Sequence, residues 1–183
     1  MRKLFWQISA TLDGFMEGPD RELDDTAQVA DKDFDRYASE MLRSIGGMLL
    51  GRKTYQLFVD YWPSATGADA DAMNALPKIV FSKTLQKVEW NNSRLVNGSV
   101  AEEVDRLKRQ PGKDLAVFGS GDFAATLMQL GLIDEYRVLV TPVILGAGKP
   151  MFKHKRKVAL RLLKATTMST GIVALNYEPT WAT

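Results

Sequence analysis

The sequence predicts an α/β domain built on a mostly parallel central sheet flanked by helices, closed by a C-terminal antiparallel hairpin. Three observations carry this expectation. Short apolar runs alternate with segments of helical apolar spacing along most of the chain. Two of those runs, GGMLLG at 46–51 and LAVFG at 115–119, stop at a glycine that leads into a helix. Finally, two strand-like runs lie close together at the end of the chain.

Taken in order, residues 3–9 alternate and are rich in aromatics, as a first strand requires. An acidic loop runs from Asp13 to Asp31. Asp31 is placed to cap a helix whose apolar positions Phe34, Tyr37, Met41, Leu42 and Ile45 recur at helical spacing. GGMLLG reads as a buried strand, KTYQLFVDYW at 53–62 as a short helix, and PSATGADADAMNA at 63–75 as a surface loop ended by Pro77. KIVFS at 78–82 and SRLV at 93–96 read as strands. Ser99 and Glu102 form a capping box for a helix reaching Gln110, with Val100, Val104 and Leu107 on one face. The pairs Glu102/Arg106 and Asp105/Arg109 are spaced to support it. A strand at 114–119, a helix at 121–130, a strand at 135–144 and a closing pair near 158–167 and 171–178 complete the chain. There is no internal repeat, so residues 1–183 are expected to form one domain.

The net charge is +2, too small to argue for nucleic acid from balance alone. Cysteine is absent, which removes thiol nucleophiles and thiolate metal sites and agrees with a reducing cytoplasm. The N-terminal MRKLFWQISATLDGF begins like a leader, but Gln7, Ser9, Thr11 and Asp13 interrupt its apolar patch. The apolar run at 138–148 is too short to span a bilayer. A cytoplasmic location without membrane attachment is the expectation.

His154 is the only histidine, so histidine-based triads and histidine-clustered metal centres are excluded. No G-x-S-x-G elbow occurs. Asp20, Glu22, Asp24 and Asp25 do not fit an EF-hand, and a solvated acidic loop without metal is expected. GGMLLGRKT at 46–54 nearly matches a phosphate-binding loop. Arg52 stands where its lysine belongs, however, and GMLL is strand rather than loop. A chain this poor in catalytic side chains suits an enzyme whose difficult chemistry belongs to a cofactor.

FGSGDFAATLM at 118–128 carries G-x-G-x-x-A at a strand-to-helix turn. In a Rossmann domain that turn opens the first βαβ unit; here it lies two-thirds along the chain, with no acid ending the next strand. Two further polar turns follow predicted strands, Gly51-Arg52-Lys53-Thr54 and Ser82-Lys83-Thr84. In a parallel sheet all three share the rim of the carboxyl strand ends, where ligands of open α/β sheets bind. Helix-start amides and cations there suit a multiply phosphorylated cofactor.

This constellation resembles the dihydrofolate reductase-like family, with the closest likeness to small bacterial homologues of the riboflavin-biosynthesis reductase domain. The segments that carry it are ISATLDGF at 8–15, LLGRKTY at 49–55, KIVFSKTL at 78–85, LAVFGSGDFAATLM at 115–128 and LIDEYRVLVTPVILGAGKPMF at 132–152. The resemblance implies an NADPH-dependent reductase acting on a small pterin- or pyrimidine-like molecule, and a homodimer. By position, Gly51, Arg52, Lys53 and Thr54 would bind cofactor phosphates, with Arg52 or Lys53 at the 2′-phosphate. Ser82, Lys83 and Thr84 would line the adenosine end, and Gly119, Ser120, Gly121 and Asp122 the pyrophosphate. Ala10 and Thr11 would lie near the nicotinamide. Asp13 is the candidate for orienting the substrate or relaying a proton, or only forms an Asx-turn before Gly14. Tyr55 and Trp62 are candidates for stacking on the substrate, or core residues, as aromatics at that spacing more often are. Asp35 stands at the spacing of the family's substrate carboxylate, or is a solvated acid of a first helical turn.

GFMEGPD lacks the Pro-Trp pair of dihydrofolate reductases proper, and YQLFVDYW replaces the region that holds a ribityl phosphate. Two alternatives stand beside catalysis: a sensor that only binds NADPH, and a polyanion binder using 149–164, which holds seven Lys/Arg and no acid. The acidic segment 13–35 is able to neutralise that run, so no nucleic-acid partner is expected.

Overall fold

The computed structural model describes residues 1–19, 32–119, 121–153 and 157–180. The expected cap Asp31, most of the acidic loop, Ser120 and His154 lie outside the described residues. In chain order the elements are β1 (Leu4–Thr11), β2 (Phe15–Glu17), α1 (Lys32–Ser44), β3 (Ile45–Gly51), α2 (Arg52–Tyr61), α3 (Ala68–Ala75), β4 (Lys78–Phe81) and β5 (Ser93–Val96). They continue with α4 (Val100–Arg109), β6 (Asp114–Phe118), α5 (Gly121–Gln129), β7 (Glu135–Thr141), β8 (Lys149–Pro150), β9 (Ala159–Thr167) and β10 (Val173–Thr180).

Eight strands form one sheet in the order β5-β4-β3-β6-β1-β7-β10-β9. The first six of that order run parallel, and β10 and β9 are added antiparallel. β1 is central and apolar on both faces, as a parallel strand between helical layers must be. Leu4 and Trp6 pack with Val104 and Leu107 of α4 and Phe123 and Leu127 of α5. Phe5 packs on the other face with Leu42 of α1, Tyr55 of α2 and Met73 of α3. Phe5 and Trp6 are wholly buried, a burial worth about 1.5–3 kcal/mol for a side chain of the size of Phe.

The structure departs from the sequence expectations at identifiable points. Residues 68–75, expected as loop, form α3. Alanine is the best helix former and Asp69 and Asp71 suit a first turn, but only Ala70 and Met73 are buried, too thin a stripe to show as periodicity. The small ribbon β2–β8 was not expected either. It depends on Gly148, whose φ is +141° and where a Cβ would run into the Glu17 carbonyl oxygen. β7 ends at Thr141, before Pro142, which has no N–H to donate. The Ser99 cap is present, its Oγ accepting from the Glu102 amide at 3.3 Å, as is the Asp105–Arg109 pair at 2.7 Å. Arg106, however, pairs with Glu103 at 2.7 Å rather than with Glu102. Glu103 also meets Arg94 of β5.

Among the described residues no helix is long and apolar enough to cross a membrane. β9 is the edge of the sheet, and all nine of its residues are exposed.

Lys78 opens β4 with no exposed surface. Its ammonium donates to the Asn74 carbonyl at 2.7 Å and sits 4.2 Å from the centre of the Trp90 ring. Among the described residues no carboxylate pairs with it, and burial pushes its pKa down to about 8. Between pH 8 and 10.5 the unfolded chain holds a proton here that the folded chain has lost, so stability should rise with pH across that window. Lys78→Met should raise stability at pH 7 by about 1–2 kcal/mol and abolish that rise. Asn92 Nδ2 still satisfies the Asn74 carbonyl, at 3.2 Å. Urea denaturation of both proteins from pH 7 to 10.5 measures this.

Candidate functional site

Because β1, β3, β4 and β6 run parallel, the turns at 51–54, 82–84 and 119–122 emerge on one rim. α2 starts at that rim without help. Gly51 has no side chain to cap it, no acid stands in its first turn, and its first two residues are the cations Arg52 and Lys53. A positive helix end carrying two positive side chains is unfavourable by itself and favourable when an anion sits on it. Arg52 and Lys83 have no carboxylate partner among the described residues.

The Gly119 turn closes against α2. Gly119 has φ +53°, and a Cβ there would stand 3.3 Å from Thr54 Oγ1. The Trp6 indole N–H donates to the Gly119 carbonyl at 3.2 Å, fixing the turn from below. At Gly121 a Cβ would lie 2.5 Å from Met16 Cε, so β2 covers this turn closely. The Asp122 carboxylate sits 3.0 Å from Lys153 and 3.9 Å from Lys53, and the Lys153 hydrogen bond foremost holds its pKa below the usual range. A carboxylate so placed leaves the backbone of this turn, not the Asp122 side chain, as the group facing an anion.

A cavity of about 660 Å³ opens beside these turns. Of the expected residues, Lys53, Thr54, Gly119 and Gly121 line it; Arg52, Asp122 and Ser82 to Thr84 do not. Ser82 Oγ instead accepts from the Thr84 and Leu85 amides at 3.1 and 3.0 Å, forming its own turn, with Lys83 exposed beside it. Ser120 lies outside the described residues.

Several expected residues stand outside the cavity wall. Ala10 and Thr11 are buried at the end of β1 and are not in the cavity wall; Gln7, Ile8 and Ser9 are. Asp13 is bound up in holding loops together. Its Oδ1 accepts from Thr11 Oγ1 at 2.6 Å and from the Leu145 amide at 3.2 Å, and its Oδ2 from the Gly146 amide at 2.7 Å. The Thr11 hydrogen bond foremost lowers its pKa, so it stays ionised and is poorly suited to relaying a proton. Tyr55 is a core residue, its hydroxyl accepting from the Glu89 and Trp90 amides at 2.8 and 3.3 Å. Trp62 packs on the same core cluster, against Phe58. Asp35 is exposed and outside the cavity wall, a solvated first-turn acid.

The wall contains residues that sequence reasoning did not single out as functional: Gln7 and Ser9 of β1, Phe34 and Tyr37 of α1, and Leu57 and Phe58 of α2. The Tyr37 hydroxyl donates to Gln7 Oε1 at 2.8 Å, and burial raises its pKa, so it remains protonated. One signal was available: Gln7 and Ser9 are two polar residues on one face of an otherwise apolar strand. Among the described residues no cluster of three acidic or histidine side chains is arranged to hold a metal.

The sequence profile of the RibD C-terminal domain matches residues 2–174. The chain is similar to the uncharacterized protein YyaP of Bacillus subtilis (strain 168), 34% identical over 183 residues, covering 97% of this chain and 95% of that one. A protein of Shewanella sp. PV-4 assigned to riboflavin biosynthesis has a similar structure, with TM-score 0.80 at 18% identity, covering 98% of this chain and 99% of the other. A diaminohydroxyphosphoribosylaminopyrimidine deaminase/5-amino-6-(5-phosphoribosylamino)uracil reductase of Thermotoga maritima is similar over 98% of this chain and 57% of its own, with TM-score 0.69 at 11% identity.

If Asp13 holds loops rather than moving protons, Asp13→Asn should lower the melting temperature at pH 7. The difference should vanish as the pH falls through the depressed pKa of Asp13, because a depressed carboxylate loses its stabilising contribution there. Thermal melts between pH 7 and pH 2 provide the check.

Proposed function

Because the chain belongs to the RibD C-terminal domain family, we propose that it is an NADPH-dependent reductase acting on a small heterocyclic, pterin- or pyrimidine-like substrate. The observation that carries this reading is the start of α2, an uncapped positive helix end bearing Arg52 and Lys53 beside the Gly119 turn. A bound NADPH supplies the hydride. The chain's own residues would bind and orient it: first-turn amides of α2 and α5 would hold the phosphates, with Gly119 and Gly121 permitting close backbone approach. Arg52 and Lys83, at the adjoining ends of β3 and β4, would be the cations for the 2′-phosphate. The apolar wall of the cavity excludes water, and orientation in a dry site accounts for most of the rate in chemistry that needs no protein nucleophile.

Among the described residues, three of the seven cations of the 149–164 run are paired, which weakens the polyanion reading. Lys149 meets Glu17, Lys153 meets Asp122, and Arg161 meets Glu178. The β9 edge supports a homodimer instead. Its backbone ladder is open, and Leu160, Leu162 and Leu163 are 39–50% exposed. An uncovered apolar edge of this length is stable in solution when a second copy pairs with it.

Two outcomes follow. Losing a charge-assisted hydrogen bond costs about 1.5–3 kcal/mol, or about one to two decades of affinity. Arg52→Ala should therefore weaken NADPH by that factor and leave NADH nearly unchanged, whereas Gly121→Val should weaken both cofactors alike. Equilibrium titration of each protein with both cofactors is the measurement, and equal loss of NADPH and NADH in Arg52→Ala removes the 2′-phosphate from this turn. Light scattering of Leu162→Arg should show the mass falling from twice the 20.4 kDa of one chain to that of one chain.

A further inference from the structure

The cavity has two unlike ends. Near the glycine turns its wall carries Lys53 and Lys149. The opposite wall is made by α1 and α2, and its chemistry is selective. α1 has six charged residues among thirteen, yet the positions it gives to the cavity, Phe34, Tyr37, Ala38 and Met41, are all uncharged. They fall at i, i+3, i+4 and i+7, one stripe of the helix. α2 adds Leu57 and Phe58.

No cation among the described residues serves that end. Arg36 is solvent-exposed and paired with Asp33. Arg137, beside Gln7 in the sheet but not in the cavity wall, is hydrogen-bonded to Glu135 at 2.7 Å and lies 3.6 Å from the centre of the Phe5 ring. Lys53 stands one helical turn before Leu57, but its ammonium lies 3.9 Å from Asp122, and Lys149 is 3.7 Å from Glu17, so both cations are drawn toward the glycine turns. A phosphate or carboxylate placed against Phe34, Met41 and Phe58 would lose part of its water and gain no charged partner among the described residues. The polar groups that do face the space are neutral. Gln7 Oε1 is occupied by the Tyr37 hydroxyl, which leaves the Gln7 amide N–H groups to donate to a ligand.

We propose that the substrate of this site is an uncharged planar ring compound without an anionic tail. Its flat faces lie against the wall of Phe34, Met41 and Phe58, and a carbonyl or ring nitrogen accepts from Gln7 Nε2. Tyr37 is the positioning residue that fixes Gln7. This rests on reading the cavity as the substrate site of a reductase, and it departs from the phosphoribosyl substrate that the Thermotoga maritima enzyme's name specifies.

The test uses binding, so that it does not depend on turnover. Lumichrome, riboflavin and flavin mononucleotide are fluorescent flat tricyclic rings of the same size, the first an alloxazine and the other two isoalloxazines. They carry no tail, a neutral polyol and a phosphate, and the riboflavin–flavin mononucleotide pair isolates the phosphate on one ring. Fluorescence titrations of the protein, alone and with saturating NADP⁺, should rank lumichrome tightest and flavin mononucleotide at least tenfold weaker. Gln7→Leu should weaken lumichrome five- to tenfold, the effect of about one neutral hydrogen bond. Tyr37→Phe should weaken it less, and the double variant should lose no more than Gln7→Leu, because Tyr37 acts through Gln7. Flavin mononucleotide binding as tightly as lumichrome, no lumichrome binding at all, or an unchanged Gln7→Leu would each overturn the proposal. If lumichrome ranks first but NADPH does not bind, the reductase reading fails and the proposed ligand class stands. If NADPH binds and the phosphorylated flavin wins, the reverse holds.

Discussion

The parallel pairing of β1 with β6 on one edge and β7 on the other is the constraint on which the site depends. That register puts Trp6 beneath the Gly119 carbonyl and opposite Val117, while Gln7 pairs with Phe118 and Arg137 and so faces the cavity. A slip of one residue would exchange the two faces of the strand. The indole would enter the cavity and the glutamine would be buried among Leu115, Val117 and the helices α4 and α5. Burial of both faces excludes the slip, so packing energy is what holds the polar groups in place.

Charge at the start of α2 is arranged against the usual rule for helix ends. α1 and α4 carry acids in their first turns and bases in their last, in accord with the helix dipole. α2 carries only bases in its first turn. The exception coincides with the wall of the cavity, where local cost and ligand affinity have the same origin. Asp122, between Lys53 and Lys153, moderates the positive field and keeps both lysines near the glycine turn.

Most of the strands and the capped helix α4 were legible because their signals are local: apolar runs, a capping box, glycines at strand ends. So was the common rim, since parallel strands bring their carboxyl ends to one side. The α1 side of the cavity was not legible for a physical reason. Phe34, Tyr37 and Met41 form an apolar helical stripe, and periodicity cannot distinguish a stripe facing a core from one facing a cavity. Tyr55 and Trp62 illustrate the converse, aromatic residues that sequence spacing left open to ligand and that pack into the core. Asp13 was singled out by its place in an L-D-G turn. Its role was set by Leu145 and Gly146, some 130 positions further on, whose proximity no local pattern records.

The same central strand has a consequence for how the chain reaches its fold. Leu4 pairs with Leu115, and Phe5 with Glu135, so β1 finds neither neighbour until most of the chain is present. By contrast β3, β4 and β5, with the helices between them, pair within residues 45–96. Loop-closure entropy then sets an order of events: the β3–β5 half assembles from near contacts, while β1 waits as an unpaired apolar segment until β6 and β7 form on either side of it. During synthesis β1 is made well before the two strands that seat it, and Phe5 and Trp6 are the surface a chaperone would have to shield in the interval.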